Sequence, residues 1–271
     1  MRVKLAGKSM TYRIKGECRY GSEEVLLQKD DNLIADTPWA DQGYAVAPFL
    51  KPALCQQIQE GILEKVRALL KVIGVSALSG FKLEQYHRFT ERPADAHRRF
   101  TEKIKDCFPV NQFPIDFQQV TRRISEICGV PLTPLNPATG LEVFCLRVVR
   151  PERRDFNPPH RDVWIDRLRN AVNIYVPIAG SNEKSSLPLV EGSHTWKESE
   201  IQRTLEGARV EEVAYTVPAV TGARKALTMI RPNPSREEVL VFSPYLIHGG
   251  GANLNEDITR VSLEIRFWRK P

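Results

Sequence analysis

Two stretches of this chain carry side chains that could grip one metal ion. In "PPHRDVW", residues 158–164, His160 and Asp162 stand two positions apart. Far downstream, His248 ends the apolar run "VLVFSPYLIH" and three glycines follow it. On an extended segment, positions i and i+2 project to the same side, so one short stretch supplies an imidazole and a carboxylate together. Pro158 and Pro159 stiffen the approach and favour extended backbone. Two neutral imidazoles and one carboxylate can hold iron(II) on one face and leave three positions open. A histidine at a strand end, beside glycines that let the backbone turn tightly, is held rigidly enough to serve. The plainer alternative is a surface pair and a strand-capping histidine, and it weakens because the three ligand types occur together.

A second pair lies beyond His248. Arg260 and Ser262 also share one strand face, setting a guanidinium beside a hydroxyl. An arginine on an otherwise apolar strand needs a partner, because an unpaired buried charge is costly. A carboxylate ligand would serve, and so would a protein acid. Glu264 and Arg266 continue the alternation and could pair with each other. Of the remaining histidines, His194 in "EGSHTW" reads as structural, while His87 and His97 read as surface or substrate-facing. Trp164, Asn173 and Arg161 flank the ligand segment as candidates to line a substrate cavity. Arg161, Arg167 and Arg169 would equally suit a solvated basic loop. Arg147 in "FCLRVV" is a candidate to face inward toward co-substrate or substrate.

The elements that must position these residues differ along the chain. "GYAVAPFL" predicts a strand, and a helix should follow from Pro52, with Leu54, Ile58, Ile62, Leu69 and Ile73 at helical spacing and Gly74 at its end. "DFQQVTRRISEICG" predicts another, with Asp116 as N-cap, Phe117, Val120, Ile124 and Ile127 inward, and Gly129 closing it. After about residue 141, short β-rich runs alternate with Pro, Gly and Asn. Helices followed by strands indicate α+β architecture with a β-sandwich or barrel in the C-terminal half. Residues 197–236 are polar and turn-rich, either a lid over a site or a surface insertion. Residues 1–38 read as an extension whose short alternating stretches around Gly21 could form a hairpin or a peripheral addition.

Composition narrows the partners. The 271 residues are 42% hydrophobic and 27% charged, suited to a soluble globular protein with no membrane span. The opening "MRVKLAGKSMTYRIKGE" lacks a secretory apolar region, so the expected setting is the cytoplasm. The net charge of +6 suits a small anionic substrate or weak nonspecific binding to a polyanion. Basic and acidic residues are interspersed and no nucleic-acid module appears, which argues against specific nucleic-acid binding. The five cysteines form no CxxC pair and are expected to be mostly buried thiols. Oligomeric state leaves no signal.

The ordered set His160-x-Asp162, His248, Arg260-x-Ser262 resembles that of the iron(II)/2-oxoglutarate-dependent dioxygenases, and more closely the phytanoyl-CoA dioxygenase-like branch. "DQGYAVAPFL" resembles the opening of that domain, "LPLVEGSHTW" its strand ending in a Gly-Ser-His turn, and "HGGGANLNEDITRVSLEIRF" its closing segment. Glu191 stands where the family often has proline. The resemblance covers about residues 40–271 and leaves residues 1–38 outside.

It implies a mainly β core, a double-stranded β-helix of the jelly-roll or cupin-like type with flanking N-terminal helices. The domain would span residues 39–271, with 39–140 the helical flank and 141–271 the core. His160, Asp162 and His248 would bind Fe(II). Arg260 would hold the distal carboxylate of 2-oxoglutarate with Ser262, and Arg147 would lie toward the co-substrate. With dioxygen, the implied reaction is hydroxylation of a small molecule, releasing succinate and carbon dioxide. Asp162 points to a hydroxylase, since halide-transferring relatives replace that carboxylate with a small residue. Desaturation or cyclisation at the same metal, and a non-catalytic jelly-roll metal- or ligand-binding protein, are the alternatives.

Overall fold

The computed structural model describes the chain except for residues 6, 92–94, 154–157 and 211–212. Its frame is a seven-stranded sheet built largely from the C-terminal half. In spatial order, Tyr44–Pro48, Glu238–Phe242, Ala171–Ala179, Arg260–Arg269, Val143–Val149 and Phe108–Pro109 run side by side, and Leu132–Thr133 also pairs with Arg260–Arg269. These pairings are antiparallel. A second, shorter layer faces it. His160 and His248 exchange backbone hydrogen bonds at 3.0 Å, Val190 donates to Ile247 at 2.8 Å, and Leu189 and Ile230 exchange bonds at 3.0 and 2.9 Å. Long strands in one layer and short bridged segments in the other, connected alternately, make a double-stranded β-helix.

Strict alternation sorts the long strands into two faces. Phe144, Leu146, Val148, Val172, Ile174, Val176, Val261, Leu263, Ile265 and Phe267 join the main hydrophobic core with the helices. The intervening Asn173, Tyr175, Ser262, Glu264 and Arg266 are left to face the opposing layer. The interior of the β-helix is therefore polar where its outer face is oily.

The helices cover that outer face. Pro52–Val72 starts with proline in its first turn and buries Cys55, Ile58, Ile62, Val66 and Leu70. Phe117–Cys128 is capped by the Asp116 carboxylate, which accepts from Gln118 N–H at 3.0 Å, and stops at Gly129. Among the described residues, no helix is long and apolar enough to cross a membrane.

Three expectations change. Cys107 and Cys145 form a disulfide rather than remaining thiols, because pairing of Phe108 with Phe144 brings residues 38 apart in sequence into adjacent strands. Cys55 and Cys128 are buried thiols, and Cys18 is an exposed one. The N-terminal hairpin joins Arg2–Leu5 to Lys8–Thr11, ahead of Gly21. Strands from the first 20 residues then pair with Ile201–Thr204, Ala208–Val210 and Thr228–Met229, so residues 1–38 and 197–236 fold onto each other. Their contacts bury Val3, Leu5 and Tyr12 against Ile201, Val220 and Ile247.

Ile62, wholly buried on the first helix, tests this packing. Ile62→Ala should lower the unfolding free energy by about 2–5 kcal/mol in urea titration, from lost burial and the cavity left behind.

Candidate metal centre

His160 and His248 face each other across the short layer, with ring centroids 4.5 Å apart. Backbone fixes both rings. His160 Nδ1 lies 2.7 Å from the Pro158 carbonyl and His248 Nδ1 lies 2.9 Å from the Leu246 carbonyl. A carbonyl can only accept, so each Nδ1 carries the proton and each Nε2 presents a lone pair. Those two Nε2 atoms lie 3.2 and 3.8 Å from Asp162 Oδ1. Each residue thus offers a ligand atom to a common point, with all three atoms within 4.8 Å of one another. Three buried acceptors converge with no donor among them, an arrangement that a divalent cation satisfies.

The carboxylate is held from behind. Its Oδ2 accepts from Arg266 Nε at 3.0 Å, Arg266 Nη2 at 2.9 Å and Asn173 Nδ2 at 2.9 Å. This leaves Oδ1 for the two imidazoles. Burial opposes ionisation of Asp162, but the Arg266 guanidinium outweighs it and holds the carboxyl well below its usual range. Burial pushes His248 down to about 4, which keeps it neutral at pH 7. Gly249, at φ +85°, follows this ligand closely; a Cβ there would lie 2.9 Å from His160 Cε1. The turn therefore needs glycine both for its backbone and for room beside the ring.

Arg260 and Ser262 lie farther along the same interior face as Glu264 and Arg266. Arg260 is buried, donates from Nη1 to the Ser185 carbonyl at 3.1 Å and lies over the Tyr175 ring. Ser262 is fully buried, and its Oγ has no hydrogen-bond partner among the described residues. A buried cation and an unsatisfied hydroxyl on one strand face fit a carboxylate-bearing co-substrate.

Several of the residues expected at the site lie elsewhere or take other partners. Glu264 pairs with Arg147, at 2.9 Å, and not with Arg266. Arg147 lines an outer cavity of about 370 Å³ that reaches His160 and Asp162, rather than the small chamber bounded by His248, Leu187 and Phe242. Arg161 points the opposite way from its neighbours: its Nη1 meets Glu198 Oε1 at 2.6 Å, and Nη2 meets the carbonyls of Ser193 and Trp196. Trp164 donates from Nε1 to Glu198 Oε2 at 3.0 Å and packs under Arg203. Neither lines the metal-facing cavities, because alternation turns Arg161 away and the turn at Asp162–Trp164 carries the indole with it. Asn173 does line the inner chamber, as a partner of the metal-facing carboxylate. His194 donates from Nε2 to the Ala40 carbonyl at 2.8 Å and is no part of the cluster. His87 is tied to Thr259 and Asp257, and His97 to Tyr86. His248 sits not at the end of the Glu238–Phe242 strand but beyond a turn, in the facing layer. Glu191 accepts from the Tyr44 hydroxyl at 3.0 Å, so it fastens its turn to the edge strand.

A double-stranded β-helix with a convergent His-Asp-His triad in its interior defines a class of metal-dependent oxygenases. The chain belongs to the phytanoyl-CoA dioxygenase family, whose model matches residues 39–262. Solved structures of similar fold include AviO1 from Streptomyces viridochromogenes Tue57, with 16% identity over 85% of this chain and 93% of its own, at a TM-score of 0.48. EctD from S. alaskensis, solved with 2-oxoglutarate and 5-hydroxyectoine, is 10% identical over 96% of this chain and 86% of its own, at 0.48. SnoN, a non-heme alpha ketoglutarate dependent epimerase from nogalamycin biosynthesis, is 14% identical over 85% and 79%, at 0.42. No curated protein matches the sequence.

Two substitutions separate the ligand set from its surroundings. Arg266→Gln should weaken Fe(II) binding by about 10- to 100-fold, the usual effect of removing a partner that orients a metal ligand. His194→Ala should leave it unchanged. Anaerobic Fe(II) titration of each metal-free variant reads both.

Proposed function

We propose that this chain is an iron(II)- and 2-oxoglutarate-dependent hydroxylase of a small anionic molecule. The observation that carries the reading is the set of three buried acceptors aimed at one point, in a member of this oxygenase family. His160, Asp162 and His248 hold the metal by one face. Arg260 and Ser262 hold the distal carboxylate of 2-oxoglutarate. Iron(II), 2-oxoglutarate and dioxygen together supply the oxidising power that replaces a C–H with a C–OH bond, with succinate and carbon dioxide as by-products.

The protein's own part is to orient and to exclude water. Backbone bonds to Nδ1 keep both imidazoles in the ligating tautomer. Arg266 keeps Asp162 ionised, and with Asn173 it occupies Oδ2, so Oδ1 is the oxygen that would be left for a metal. The outer cavity is the substrate chamber in this reading. Its volume of about 370 Å³ suits a small molecule. Lys105, Arg147, Arg167 and Arg266 line it against the acids Asp162 and Glu264, which are already paired with Arg266 and Arg147, so the walls favour an anion. Thr216 and Val217 also reach this cavity from residues 197–236, which supports a covering role for that segment.

Oxygen-dependent formation of succinate from 2-oxoglutarate tests the proposal. His160→Ala, Asp162→Ala and His248→Ala should each abolish it, and retained turnover would remove that residue from the ligand set. Arg260→Ala should raise the 2-oxoglutarate requirement by about 10- to 100-fold, corresponding to one lost charge-assisted contact. A loss of iron affinity without that rise would contradict the role given to Arg260.

A further inference from the structure

Residues 1–38 precede the family match and, among the described residues, contribute no ligand, yet they bond directly beside His248 and, through Glu198, reach the segment that carries His160 and Asp162. The Tyr12 hydroxyl donates to the carbonyl of Gly250, two residues beyond His248. Tyr12 itself is buried, so this contact is built into the packing. On the other side, residues 21–24 run along the turn that carries Glu198. Gly21 N–H donates to the Glu198 carbonyl at 3.1 Å, Glu198 N–H to the Glu24 carbonyl at 2.8 Å, and Ser199 N–H to the Ser22 carbonyl at 2.6 Å. A Cβ on Gly21 would fall 2.4 Å from Glu198 Cβ, so the segments lie this close only because residue 21 has no side chain.

Glu198 in turn meets the ligand segment. Its side chain is 4% exposed, and it receives Arg161 at 2.6 Å, Trp164 at 3.0 Å and Arg203 at 3.4 Å. Arg161 is wholly buried and stands between His160 and Asp162. Arg161 is held by the Glu198 carboxylate and by the carbonyls of Ser193 and Trp196, all on the segment that residues 21–24 run along. A shift of that segment therefore moves Arg161, and with it the ligands on either side in sequence.

We propose that residues 12–24 are a positioning element of the metal centre, setting His160 and Asp162 through Glu198–Arg161 and His248 through Tyr12–Gly250. The proposal rests on the iron-site reading above. It makes an N-terminal segment outside the family match a determinant of metal affinity in this chain.

The test uses the full chain with Fe(II) and, separately, Co(II), whose visible absorption reports coordination geometry. Gly21→Ala and Glu198→Gln should each weaken Fe(II) binding about 10-fold or more and alter the Co(II) spectrum. Tyr12→Phe, which removes only the hydroxyl, should act in the same direction. Ile62→Ala, a destabilising change in the helical flank, should lower the melting temperature and leave both metal readouts unchanged. If Gly21→Ala does not fold, Tyr12→Phe and Glu198→Gln decide. Variants that melt earlier but bind both metals like wild type would overturn the proposal. Failure of wild type to bind Fe(II) would instead overturn the iron-site reading, and this inference with it.

Discussion

His160 Nε2, His248 Nε2 and Asp162 Oδ1 are acceptors that would repel one another in a dry interior, and the surrounding contacts force them together. Each ring is tied through Nδ1 to a carbonyl of its own segment, and those segments exchange backbone bonds with each other. The carboxylate is tied through Oδ2 to Arg266 and Asn173 on the facing sheet. The two layers of the β-helix thus meet at Asp162. Its charge is already balanced by a guanidinium, so the site can hold this geometry before any cation arrives.

The same balance explains the polar interior. Arg260, Ser262, Glu264 and Arg266 project inward from one strand while Val261, Leu263, Ile265 and Phe267 anchor it to the helices. The oily face fixes the strand's register, and through it the spacing of the polar groups. Breaking a buried pair such as Arg161–Glu198 typically costs about 3–5 kcal/mol. That cost makes such pairs effective struts even where they add little net stability.

Much of this was legible in sequence because it depends on local periodicity. The i, i+2 placement of His160 and Asp162, and of Arg260 and Ser262, follows from extended backbone alone. Both predicted helices follow from apolar spacing and end signals, although the buried set of the first shifts to include Cys55, Val66 and Leu70. What escaped depends on long-range register. Nothing near Arg266 announces a partner 104 residues away, and nothing near Cys107 announces Cys145. Arg161 and Trp164 looked like cavity residues because they flank the ligands, but alternation turns Arg161 away and the helical turn at Asp162–Trp164 takes the indole off the ligand face that extended backbone would have given it. In the facing layer "SLPLVEG" was legible as a β-rich run, but its pairing with Ile230 and His248 was not, because the strands there are reduced to isolated bridges too short to leave a periodic pattern.

The central claim is that this triad binds iron(II) in a form that accepts 2-oxoglutarate. The most direct measurement is anaerobic: Fe(II), then 2-oxoglutarate, added to metal-free protein while the visible spectrum is followed. A weak charge-transfer band that appears only with both, and is absent in His248→Ala, is the expected result. Wild-type protein that gives no band at saturating additions would contradict the account and favour a jelly-roll protein without this chemistry.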